Sequence, residues 1–149
     1  MNTTTSLERK TAVHGVPWEE SYSYYQAVRV KDVIYVSGQL SHDKEGNFIA
    51  PAELGADGKP VDASAMEAQM RQTYKNTVAM LAEFGATLAD VVEETLFVTD
   101  VDAAFAVAAK VRNEMYGVAR PLCASNLIGV ARLAQPVQLI EITFRAVLK

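Results

Sequence analysis

Residues 139–147 alternate between apolar and polar positions. Ile140, Ile142, Phe144 and Ala146 fall on one side, and Glu141, Thr143 and Arg145 on the other. A period of two is the mark of a strand with one buried face. Residues 91–99 read the same way. Val92, Leu96 and Val98 share one face, while Glu93, Thr95 and Thr99 share the other with Phe97. Two runs of strand formers, about 24–31 and 33–39, predict a hairpin that turns at Lys31-Asp32. Residues 125–130 read as a further strand, followed by the turn-like Ala134-Gln135-Pro136.

Elsewhere the period lengthens. Met66, Met70, Tyr74, Thr77, Leu81 and Phe84 recur at steps of three and four, which predicts a helix over 65–84. Ser64 and Glu67 match a capping box, and Gly85 stands where a left-handed C-cap belongs. A second helix is predicted over 102–116. Asp100 or Asp102 caps it, Phe105, Ala108, Ala109, Val111 and Met115 form its buried side, and Gly117 closes it. Residues 42–62 carry Gly46, Pro51, Gly55, Asp57-Gly58 and Pro60 and read as a loop that is long for a compact domain. It is either a surface excursion or a lid or interface loop, with a small strand at 47–50. Residues 1–15 read as a loosely held, flexible arm.

The order β-β-(loop)-α-β-α-β-β predicts one α+β domain over residues 1–149. In it a single mixed sheet carries two helices on one face. The other face, with Tyr, Phe, Val and Leu among polar groups, invites oligomerisation. Half of the 149 residues are apolar and 21% are charged, an ordinary globular mixture. With 14 basic and 18 acidic residues the net charge is −4, which argues against strong nucleic-acid binding. Cys123 is the sole cysteine, so there is no intramolecular disulfide, and a reducing compartment fits. No apolar run reaches the roughly 18 residues of a membrane span, and the first residues lack an apolar signal core. The expected location is the cytoplasm.

Candidate chemistry is sparse. No phosphate-cradling loop, dinucleotide fingerprint or H-E-x-x-H motif is present, and Gly38 stands isolated. His14 and His42 are far apart and read as solvated, so no metal or cofactor is expected. Arg120 beside Cys123 could make the thiol reactive, the plainer alternative being a packed cysteine. Glu141, between Ile140 and Ile142, is the carboxylate best suited to acid–base work. The alternative is a partner for an arginine such as Arg29, Arg132 or Arg145 across the sheet or a subunit interface.

Tyr24-Tyr25-Gln26-Ala27-Val28 leading to Val36-Ser37-Gly38-Gln39 resembles the first hairpin of the RidA family, also called YjgF or L-PSP. Gln69, Arg71, Gln72 and Asn76 are similar to its first-helix Q-x-R-Q-x-x-x-N segment. Gly85 to Val92 followed by Val98-Thr99-Asp100, then Arg120-Pro121, Val130 to Leu133 and Ile140-Glu141-Ile142, complete the order over about residues 17–148. The resemblance implies a chorismate-mutase-like fold, homotrimers built around a sheet barrel, and ligand clefts between subunits. It implies hydrolysis of enamines and imines to ammonia and a 2-keto acid without a cofactor. Tyr24 and Ser37 match residues that line the family cleft, and Glu141 matches the glutamate that orients or activates water. The family's carboxylate-clamping arginine is missing: counted from Pro121 its place holds Cys123, and counted back from Val130 it holds Ser125. Arg120 or Arg145 is left as a substitute. The expected ligand is therefore a small molecule, turned over by a deaminase-like hydrolase. The alternatives are a non-deaminating ligand-binding or regulatory trimer and, behind both, an endoribonuclease or translation inhibitor.

Overall fold

The computed structural model describes residues 6–149. The alternating C-terminal segment forms β6 (Ile140–Val147), and it lies in the middle of the sheet. Its antiparallel neighbours are β3 (Val33–Gln39) and β4 (Val91–Val98). Outside them lie β2 (Ala27–Val30) and β1 (Lys10–Ala12) on one side, and β5 (Ala124–Gly129) on the other. The order is β1-β2-β3-β6-β4-β5, and among the described residues only the β4–β5 pair is parallel. This is the single mixed α+β sheet the pattern predicts, but in one chain it is open, not closed into a barrel.

One face packs on α2 (Met66–Ala82) and α3 (Val101–Tyr116). Ile34, Val36, Leu96, Val98, Ile140, Ile142 and Phe144 meet Met66, Met70, Tyr74, Leu81 and Val111 in one core. Burying each large apolar side chain here contributes about 1.5–3 kcal/mol. Asp100 caps α3 by accepting the Ala103 amide, and Gly117 ends it at φ 72°, as expected.

Several local expectations fail for identifiable reasons. Ser64 does not cap α2. Its hydroxyl turns back to Asp62, the helix starts at Met66, and Glu67 pairs with Arg71 and Lys110. Phe105 is 76% exposed, because α3 buries the stripe through Ala104 and Val111, and Phe105 sits about 100° further round. A register shift between Val91 and Glu93 turns Val92 to solvent and leaves Glu94 buried with Leu96 and Val98. The small strand at 47–50 is reduced to a single bridge between His42 and Phe48. The arm over 1–15 contains β1, paired with β2, and is followed by the short α1 (Pro17–Tyr22). Residues 1–5 lie outside the described residues.

Candidate functional site

Glu141 is the second residue of the central strand β6, part-buried on the face away from the helices. A Cβ built on Gly38 would come within 1.9 Å of Glu141 Oε1. The carboxylate therefore occupies the space a side chain at 38 would fill, which is why the isolated glycine stands there. Gln138 Nε2 donates to Glu141 Oε2 at 3.2 Å. Burial raises the carboxyl above its ordinary pKa, and the Gln138 bond only partly offsets that. Gln138 also lines a cavity of about 600 Å³, walled by residues 57–63, Thr99, Asp100, Arg132 and Leu133. The 42–62 loop thus contributes its end to the surroundings of Glu141.

Tyr24 lies close enough for Glu141 to act on its phenol. Burial raises the Tyr24 pKa, with Glu19 and Glu141 adding to the rise, against the Gln26 and Trp18 N–H groups that lower it. Tyr24 also lines a second cavity, of about 680 Å³, with Glu19, Glu20 and Tyr25. Ser37 precedes Gly38 on β3, and its hydroxyl donates to the Tyr25 carbonyl at 2.8 Å. Tyr24, Ser37 and Glu141 thus gather at one end of the sheet.

Around them lies a polar set that the sequence did not disclose. His14 Nε2 meets Gln39 Oε1 at 2.7 Å, Gln39 Nε2 donates to Gln26 Oε1 at 2.8 Å, and Gln26 Nε2 donates to the Tyr24 oxygen at 3.0 Å. Glu19 holds the segment bearing His14 by accepting the amides of His14, Gly15 and Val16. The two histidines are not solvated as expected. Their rings meet edge to face at 5.0 Å, with Trp18 against His42 at the same distance. His42 is 3% exposed, and burial lowers its pKa. Folding brings together two rings whose spacing in sequence carries no signal. Among the described residues no group of three metal-ligating side chains forms.

Arg120 and Cys123 are placed elsewhere. Arg120 is exposed in the turn before β5. Register aligns Phe97 with Glu141 and with Ile128, whereas Ala124 lies opposite Glu93, about 13 Å along the strands. Cys123 points to the helix side, 3.7 Å from the Tyr116 hydroxyl, and its thiol pKa is raised, chiefly by burial. Ser125 faces the same way, with its hydroxyl on Glu94 Oε1 at 2.8 Å. Arg145 stacks on Tyr35 at 5.3 Å and stands 4.0 Å from Glu93. The fully buried Glu94 also accepts from Tyr74 and Tyr116 at 2.8 Å each and from Arg112 at 2.5 Å. A glutamate on the apolar stripe of β4 was the available signal for this cluster.

The family described as Endoribonuclease L-PSP matches residues 18–148, nearly the whole domain just described. The chain belongs to the RidA/YjgF/L-PSP family. A RutC family protein of Pyrococcus abyssi is 32% identical over 118 residues, covering 79% of this chain and 80% of the relative. Rv2704 of Mycobacterium tuberculosis, described as a member of the YjgF/YER057c/UK114 family, superposes with a TM-score of 0.72 at 26% identity. It covers 95% of this chain and 100% of its own. RidA from an Antarctic Psychrobacter gives 0.68 at 26% identity, over 97% and 99% of the two chains. Of the two positions left for the expected arginine, Cys123 lies 3.7 Å from the Tyr116 hydroxyl and Ser125 donates its hydroxyl to Glu94. Arg112, on α3, shares the Glu94 carboxylate with Ser125.

Proposed function

We propose that this protein hydrolyses a small imine or enamine, with Glu141 as the acid–base group and Tyr24 and Ser37 lining the cleft. The single observation that carries this reading is the Glu141 carboxyl itself. It is part-buried, held between Gly38 and Gln138, and burial raises its pKa above the ordinary carboxylate value, which suits a carboxyl that takes and returns a proton. In the reaction Glu141 takes a proton from water as the water oxygen bonds to the carbon of a protonated imine. The carbinolamine nitrogen then receives that proton, and the C–N bond breaks with its electron pair going to nitrogen while the regenerated Glu141 carboxylate takes the proton of the carbinol hydroxyl. Ammonia leaves, and the carbon becomes a ketone.

Glu141 faces the open side of the sheet, whereas Cys123 and Ser125 face the helices of the same chain. A cleft using both sets therefore takes them from two copies, which supports the homotrimer the family resemblance implies. A second reading, a trimer that binds without turnover, is favoured by one observation: neither Cys123 nor Ser125, the two candidates for the arginine position, is a cation, and both face the Glu94 cluster. The net charge of −4 weighs against RNA as substrate, despite the description the family carries.

The test is ammonia release from freshly generated 2-aminoacrylate. Turnover abolished in Glu141→Gln supports hydrolysis. Stabilisation by a 2-keto acid without any ammonia release favours the binding reading.

A further inference from the structure

The amide chain leading from His14 to Tyr24 has a direction, and one backbone atom sets it. The Ser37 carbonyl can only accept, and Gln39 faces it with Nε2 at 3.1 Å. Gln39 Oε1 is thereby turned to His14, whose Nε2 must carry the proton it donates. The same Nε2 of Gln39 donates to Gln26 Oε1, so the Gln26 amide is fixed in turn, with its Nε2 toward the Tyr24 oxygen. Gln39 and Gln26 are 1% and 2% exposed, so water does not compete for these bonds. The Trp18 indole N–H is buried without a hydrogen bond of good geometry, yet it lies near enough to the phenol to act on it. The Gln26 amide therefore already donates to the Tyr24 oxygen, and the phenol's own proton is left to point elsewhere.

We propose that Gln39 and Gln26 are positioning residues that fix the Tyr24 hydroxyl as a hydrogen-bond donor, with His14 closing the far end in its Nε2–H tautomer. It follows that the ligand group meeting Tyr24 is an oxygen acceptor, a carboxylate or a carbonyl, and not an ammonium. This last step rests on Tyr24 lining the cleft. The orientation of the relay does not.

The test uses the full chain labelled with 13C at tyrosine Cζ and 15N at histidine. The expected result is an Nε2–H tautomer for neutral His14 and a Tyr24 titration midpoint that rises in Gln26→Met, which removes the donor. Tyr22 and Tyr25 serve as internal references, and Tyr24→Phe assigns the resonance. Should Gln26→Met fail to fold, Gln26→Glu is expected to raise the midpoint further, because its carboxylate only accepts at alkaline pH. An Nδ1–H tautomer, or a Tyr24 midpoint that stays put or falls, overturns the relay. Pyruvate affinity is expected to fall about three- to tenfold in Gln26→Met, the worth of one net hydrogen bond. If pyruvate fails to bind the unaltered protein, the hydrolytic reading is damaged. The tautomer and the titration still decide the relay.

Discussion

At the level of single residues, the proposed chemistry rests on a carboxyl that folding places at a disadvantage. The Glu141 pKa is raised in the folded protein, so the native state binds more protons than the unfolded chain between the two pKa values. Its contribution to stability therefore falls as pH rises above the unfolded value of about 4.3. Glu141→Gln is expected to lose about 10²–10⁴ in ammonia release. The same variant should be at least as stable as the parent at pH 7, with the difference vanishing near pH 4. Urea melts at the two pH values check this. Gly38→Ala makes a complementary prediction. The φ of Gly38 is not positive, so the backbone accepts alanine, but the new methyl meets Glu141 Oε1. The expected outcome is a folded protein with a displaced carboxylate and activity close to that of Glu141→Gln. A Gly38→Ala variant with full activity would contradict the placement of Glu141. The sequence made Glu141 legible, because a charge between two isoleucines in a period-two strand must face away from the core. It concealed His14 and His42, whose meeting depends on the path of the chain between them.

At the level of elements, the two long helices and the five longer strands were legible from periodicity and strand formers. Their ends and faces were less so. Ser64 had a nearer partner in Asp62 than the helix backbone offered. The six residues of α1 are too few to display a period, and the three of β1 draw their order from pairing with β2. A bulge at Val92 turned that residue to solvent, a change that alternation alone does not encode, while Glu94 stayed inward in step with Leu96 and Val98. Glu94 then became a junction: Tyr74 reaches it from α2, Arg112 and Tyr116 from α3, and Ser125 from β5. Removing the cation leaves a buried carboxylate uncompensated. Arg112→Met is expected to destabilise the fold by about 3–5 kcal/mol, measured by chemical denaturation. A loss within about 0.5 kcal/mol, the size of an ordinary surface substitution, would mean the hydroxyls alone hold Glu94.

At the level of the whole molecule, the open face of the sheet and the opposed placement of Glu141 and Cys123 lead to one expectation. Light scattering at micromolar concentration should give about three times the chain mass, and a monomeric mass would remove the proposed shared cleft. The expectation of an oligomer comes from the sheet face left uncovered and from the family resemblance, since the sequence pattern says which side lacks a helix but not what covers it. The sheet order has its own consequence for how the protein comes into being. The strand at its centre is the last one made. While the ribosome is still adding residues before Ile140, β3 and β4 each present an unpaired edge, with nothing between them. The hairpin and both helices are already available, but they cannot be joined. Glu141 arrives with the strand that joins them, so the nascent chain acquires its sheet and the carboxyl proposed for catalysis in a single late event. Until then it depends on whatever shields those two edges from its neighbours.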